Sequence, residues 1–342
     1  MEVLLGKTLL ELQAVAQEVG LSRFAGKQLA EWIYVRRATS FDEMTNISLK
    51  GREALKARYN IGRHAPVAEA VSKDGTKKYL FRVSNSEAIY IESVYIPDDD
   101  RATLCVSTQA GCKMGCKFCM TGTLGFHGHL SAAEILNQIF SIPDSDKLTN
   151  IVYMGEGEPM DNLDNVLRSL EVMTAAWACA WSPKRITVSS VGVNKGLKRF
   201  IEESECHLAI SLHNPFSIER QEIMPIEKAN RLNDVIALLK QYDWCHQRRV
   251  SFEYICWGGV NDTPKHANEL LRLLKGLDCR INLIRFHAGV NQDFPGSNEQ
   301  QMEWLRNYLT ERGITTTIRR SRGEDILAAC GMLVNALQSD KQ

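Results

Sequence analysis

Apolar residues first recur at the helical period, then at period two, and from about residue 102 in short apolar runs that alternate with helical stripes. The first 60 residues read as short helices. Thr8 and Glu11 have capping-box spacing ahead of LQAVAQEV, and Gly20 can end that helix. FAGKQLAEWIYVRR (24–37) is a second amphipathic stretch, and Ser40 with Glu43 marks a third helix start. Over 65–97, KKYLFRV and AIYIESVYI carry β-branched and aromatic residues around the turn signals KDG and SNSE, which predicts a β-hairpin. Beyond it, strands are predicted at 103–109, 150–154, 185–190, 207–213, 249–256, 281–286 and 315–320. Helical patterns lie between them, one opening at Ser131 with Glu134 and ending before Pro143. Repeated β-α units imply a parallel sheet, open or closed into a partial barrel, with chemistry at the carboxyl ends of the strands.

Composition narrows the class. With 44% hydrophobic and 24% charged residues the chain can bury a large core. Lys plus Arg and Asp plus Glu both total 41, so net charge argues neither for nor against a nucleic-acid partner. The amino terminus lacks the pattern of a signal peptide, and no apolar run reaches the ~18 residues of a membrane span. Ten cysteines without a secretion signal point to the cytosol, where clustered cysteines are metal ligands or catalysts more often than disulfides.

Three of these cysteines stand in GCKMGCKFCMTG (111–122), as Cys112, Cys116 and Cys119, in a C-x3-C-x2-C pattern after the first body strand. Glycines at 111, 115, 122 and 125 let the backbone wrap closely around a bound group. A closed zinc site wants four ligands, so zinc requires His127 or His129 to join. Three thiolates on an iron–sulfur cubane leave one iron open to an outside ligand. Elsewhere, Cys105 and Cys330 read by themselves as a buried small residue and a helix-packing residue; Cys179, Cys206, Cys245, Cys256 and Cys279 read as buried thiols. Glu92, in the apolar strand YIESVYI, is an outward carboxylate or a base with a raised pKa. Asp98, Asp99 and Asp100 read as a solvated turn.

C-x3-C-x2-C with Phe118 before its last cysteine resembles the radical S-adenosylmethionine (SAM) signature, and GEGEPM (155–160) resembles the motif that binds the amino group of SAM. ESVYIPDDDRATLCVSTQAGCKMGCKFC, SLHNP…R…IMPI and GEDILAACGML resemble the RlmN/Cfr family of RNA methyltransferases, and the likeness spans roughly 1–337. The resemblance implies an α/β fold: a partial (β/α)6-type radical SAM barrel with a small helical amino-terminal domain and a β-hairpin linker. The division is a helical module at 1–62, a hairpin region with Glu92 at 63–101, and a radical SAM core with the Cys330 extension at 102–342.

The same resemblance implies a [4Fe–4S] cluster on Cys112, Cys116 and Cys119, with SAM at its open iron. It implies SAM contacts by Gly157, Glu158, Ser189, Ser211, Leu212 and His213, and by His287, where the family often has asparagine. It casts Cys330 as the residue methylated on sulfur, Glu92 as proton acceptor and Cys105 as the resolving thiol in a transient disulfide with Cys330. The implied reaction methylates C2 of an adenosine in 23S rRNA, with the adenosine 3′ of the tRNA anticodon as a further substrate. A monomer fed electrons by flavodoxin or ferredoxin is implied too. Methylation at adenine C8, as by Cfr, a radical SAM reaction on another substrate, and a non-catalytic zinc module that binds RNA remain open alternatives. Arg319, Arg320 and Arg322, the run VRR at 35–37 and KDGTKK at 73–78 are candidate phosphate contacts.

Overall fold

The computed structural model describes all residues except 84, 85, 87, 124, 245–248, 288–293 and 334–342, so Cys245 lies outside the described residues. Ten strands form one sheet: β1 (Ala68–Val71), β2 (Lys77–Arg82), β3 (Tyr90–Pro97), β4 (Ala102–Cys105), β5 (Asn150–Tyr153), β6 (Ile186–Ser190), β7 (His207–Ser211), β8 (Val250–Cys256), β9 (Cys279–Arg285) and β10 (Thr315–Ile318). Each pairs with its neighbours in chain order, antiparallel from β1 to β4 and parallel from β4 to β10. In the parallel part helices lie between successive strands. The hairpin strands β2 and β3 join the parallel sheet through β4.

The helices begin where the caps predict. Thr8 and Glu11 cap α1 (Leu9–Glu18), and Ser131 and Glu134 cap α4 (Ala132–Ser141) in full capping boxes. The stretch 24–37 splits into α2 (Ala25–Ala30) and a π-helical turn, Glu31–Val35. Ser40 caps only the short turn Phe41–Glu43, and the third helix, α3 (Leu49–Arg58), starts instead at Ser48. The amino-terminal helices sit on the body through an Arg168–Glu11 ion pair, a two-way hydrogen-bonded pairing of the His64 backbone with Asn137, and Tyr34 against Phe140 and Trp177. No helix among the described residues is long and apolar enough to cross a membrane.

Alternation divides the sheet into two faces. Tyr79, Phe81, Ile91, Tyr95 and Leu104 point into the main core. The intervening residues of β2–β4 point the other way. There Lys78 lies opposite Val94, Val94 opposite Cys105 and Cys105 opposite Val152, with Glu92 one pair along, opposite Leu80. The segment after β10 folds over this face: Ala328 and Leu333 pack on Val94, with Ile96, Cys105 and Ile326 against them.

The strand ends near the cysteine loop are held by Arg220, on the short helix α5 (Ser217–Ile223), which is fully buried. It pairs with Glu227 and donates to the carbonyls of Leu212 (3.0 Å), Ser211 (2.9 Å) and Val191 (2.8 Å). Arg220→Met leaves Glu227 buried and unpaired, and strands three carbonyls. We expect a loss of about 3–5 kcal/mol of stability, read as a lower urea midpoint with unchanged slope. A change under about 1 kcal/mol would show the pair to be replaceable by packing.

Candidate active site

The cysteine loop closes on itself through backbone hydrogen bonds. Cys112 N donates to Gly125 O, Cys119 N to Cys116 O and Met120 N to Gly331 O. Gly111 has φ +70°, and a Cβ there would fall 1.9 Å from Gly125 O, so the loop entry demands glycine. Cys112, Cys116 and Cys119 together line a cavity of about 110 Å³. Burial pushes all three thiols up, Cys112 to about 12, so binding a soft metal there displaces protons. Neither His127 nor His129 lines this cavity; His129 Nδ1 pairs with Gln109 Nε2 at 3.0 Å. Among the described residues no three His, Cys, Asp or Glu side chains converge on a single-ion position. A cubane spreads its thiolates over separate irons, so this donor set suits a cluster better than closed zinc.

A second cavity, of about 140 Å³, adjoins the first and shares Phe118, Cys119, Gly157, Glu158 and Ser211 with it. Ser189, His213, Arg319 and Cys330 complete its wall. Gly157 has φ +94° and presses on Gln109, where a Cβ would meet the Gln109 side chain at 2.4 Å. Glu158 is buried, and its carboxylate accepts from Met160 N (3.0 Å) and Val191 N (2.9 Å), which ties the loop after β5 to the loop after β6. Burial raises its pKa to about 7. His213, at φ +56°, accepts from Ile255 N at 3.1 Å and faces the Phe118 ring; burial holds it neutral, lowered to about 3. Leu212 is fully buried behind this wall, where its backbone pairs with Glu253 and Arg220.

Cys330 is exposed and lines both this cavity and a further one of about 310 Å³. That third cavity holds Arg101, Arg285, Arg320, Arg322 and His287, whose ring pairs with Ser321. The structure therefore sets His287 across Cys330 from Gly157 and Glu158. Several predicted phosphate contacts are engaged by carboxylates of the chain: Arg319 with Glu253 (3.1 Å) and Lys78 with Glu92 (3.1 Å) inside the fold, and Arg322 with Asp98 (3.1 Å) and Arg37 with Asp146 (3.0 Å) at its surface. Asp98 thus does more than solvate a turn. Cys105 is a free thiol raised to about 12, by burial first and then by Cys330 nearby. Of the thiols read as buried, Cys206, Cys256 and Cys279 are buried, and Cys179 is partly so. A cavity of about 780 Å³, lined by Lys7, His64, Arg82 and Arg168 among others, lies away from the three cysteines.

Three residues escaped sequence reasoning. Glu156 is buried, accepts from Glu92 N (2.8 Å) and Gly111 N (3.1 Å), and is raised to about 8 by burial and then by Glu92. Glu253 lines the 140 Å³ cavity under Arg319. Lys78 looked like part of a charged turn. The doubled carboxylate of GEGEP was the one available signal, for Glu156.

Residues 106–284 match the radical SAM superfamily. The crystal structure of a radical SAM methyltransferase from Sphaerobacter thermophilus has a TM-score of 0.91 and 35% identity, covering 97% of this chain and 99% of that one. Fold and site together define a radical SAM enzyme. Residues 3–61 match the ribosomal RNA large subunit methyltransferase N-terminal domain. A probable dual-specificity RNA methyltransferase RlmN from Bacteroides fragilis is 59% identical over 98% of this chain and 97% of its own length. The dual-specificity RNA methyltransferase RlmN from Marinobacter nauticus is 39% identical over 98% and 93%. The chain belongs to the RlmN family, and it is a radical SAM RNA methyltransferase.

Proposed function

We propose that the enzyme methylates C2 of an adenosine in 23S rRNA, and the adenosine 3′ of the tRNA anticodon, through a methyl group carried on Cys330. The observation that carries this reading is the meeting of Glu92, Cys105 and the Cys330 segment on one face of the sheet, beside the cavity of the three cysteines. Three soft thiols around one small cavity fit a [4Fe–4S] cluster, held by Cys112, Cys116 and Cys119. Cluster and SAM, when bound, supply one-electron cleavage of SAM to a carbon radical able to take hydrogen from a methyl group. Gly157, Glu158, Ser189, Ser211 and His213 form the wall against which SAM would rest.

The protein's own residues do the rest. The sulfur of Cys330 accepts a methyl group and holds that carbon at the mouth of the cavity. Joining a carbon radical to the base leaves one unpaired electron, which the cluster, when bound, would take back; Glu92 takes the proton from the base carbon. Cys105 then attacks the sulfur of Cys330. The carbon–sulfur bond breaks, its electron pair stays on carbon, and a proton completes the methyl group while the disulfide closes. Adenine C2 is not nucleophilic, so direct displacement from SAM would fail there. The division into a helical module at 1–62, a hairpin region at 63–101 and a core at 102–342 fits this scheme, as do a cytoplasmic monomer and a flavodoxin or ferredoxin donor.

Glu92→Gln tests the base. We expect Cys330 methylation to proceed as in the parent and methylated RNA to fall at least 100-fold, the usual scale for a general base. Intact-protein mass and nucleoside analysis read the two steps separately. Normal RNA turnover would return Glu92 to an ordinary strand residue, and product at C8 would replace the C2 assignment.

A further inference from the structure

We infer that Lys78 is a positioning residue for this reaction, one that holds Glu92 ready as a base and ties it to the turn that carries Cys330. The inference rests on the reading of Glu92 as proton acceptor.

Lys78 belongs to the site face of β2, and its side chain is only 10% exposed. A lysine is seldom so buried unless paired. Its ammonium lies 3.1 Å from Glu92 Oε1, across one step of the β2–β3 ladder. The same ammonium reaches the carbonyl of Leu327 at 3.4 Å. Leu327 stands three residues before Cys330 and has φ +52°, a left-handed conformation costly for a residue with a side chain. One cation therefore links the base to a strained turn of the Cys330 segment. Its charge also matters where it sits. A carboxylate 2% exposed loses the stabilisation of water and would rise in pKa without a counter-charge.

Among the described residues, the titratable groups on this side of the sheet include Lys78 from β2, Glu156 from the loop after β5, Cys105 from β4, Glu253 from β8, and Arg319 and Cys330 from the carboxyl-terminal segment. Glu156 holds the backbone of Glu92, and burial with Glu92's repulsion raises it to about 8, which disfavours its charged form. Arg319 is committed to Glu253. Lys78 stands in direct contact with the Glu92 carboxylate, at 3.1 Å. When Glu92 takes the C–H proton, the electron pair stays with the base, and the charge that held Lys78 is gone.

The test is a pH profile. Protein carrying methyl-Cys330 is mixed with an rRNA fragment, SAM and reductant, and methylated RNA is followed in a single turnover for the parent, Lys78→Met, Lys78→Arg and Glu92→Gln. Removing the cation raises the pKa of Glu92. The acid limb of the Lys78→Met profile should then move up by about 1–3 pH units, with a rate loss that is greatest on the acid side and shrinks as pH rises. Lys78→Arg should keep the limb near the parent position, and Cys330 methylation should be unchanged in all variants. If Lys78→Met fails to fold, Lys78→Gln, neutral but still a donor to Leu327, gives the same comparison. An unmoved limb in the neutral variant, with Glu92→Gln inactive, overturns the role of Lys78 and leaves the base in place. Normal turnover by Glu92→Gln overturns the underlying reading instead.

Discussion

Cys105→Ala is expected to leave RNA covalently attached to the protein. Methyl transfer to Cys330 needs only the Cys330 sulfur, so the first half-reaction proceeds. The second joins the carbon to the base while it is still bonded to sulfur. Release then needs another thiol, and Cys105 lies under the Cys330 segment, in one hydrophobic cluster with Ala328 and Leu333. Without it the thioether has no partner to cleave it. In a denaturing gel the protein should shift up by the mass of the RNA, ribonuclease should collapse the shift, and thiol reductant should leave it intact. Cys105→Ala with Cys330→Ala should give no adduct. In the parent, release should quicken as pH rises, because burial holds the Cys105 thiol up to about 12 and only its thiolate attacks. Normal methylated RNA without a crosslink from the single variant would end the two-thiol scheme for this enzyme.

The second large effect concerns Cys112, Cys116 and Cys119. Changing all three to Ala should abolish iron binding and all SAM cleavage while the protein stays folded. Folding should survive because the loop is held by backbone hydrogen bonds, from Cys112 N to Gly125 O, Lys117 N to Ile223 O and Met120 N to Gly331 O, none of which needs a thiol. Iron analysis after anaerobic reconstitution, with the far-ultraviolet dichroism of parent and variant, decides it. Undiminished iron in a folded triple variant would remove these residues as ligands.

Much of this was legible in the sequence because the physics is local. Capping boxes at Thr8 and Ser131 depend on four consecutive residues, and C-x3-C-x2-C is read within one loop. The parallel strands showed as apolar runs between helical stripes, with β4 the exception. It ends at Cys105, short of the predicted 109, because Ser107 bonds Gln138 and the Glu156 backbone, and Gln109 leaves the sheet to pair with Phe126–His129 in a separate two-stranded one. The helix Ser217–Ile223 is too short to show a period. Least legible were the residues whose meaning is a partner far along the chain. Lys78 read as a phosphate contact because Glu92 and Leu327 lie 14 and 249 positions away. Glu253 read as one residue of an apolar strand, since Arg319 is 66 positions on.

The hairpin between β3 and β4 is closed by Asp98 and Arg101, which exchange backbone hydrogen bonds at 2.6 and 3.3 Å. Only two residues separate them, so this turn works as a gauge block. It sets the offset between the strand of Glu92 and the strand of Cys105 in whole residues, with no intermediate setting. One inserted residue that slid β3 by a single step would turn Ile91 and Ser93 toward Cys330 and bury Glu92 in the hydrocarbon core. The offset between Glu92 and Cys105 is therefore kept by chain length at a solvent-facing turn, where mutation by insertion is otherwise tolerated most easily.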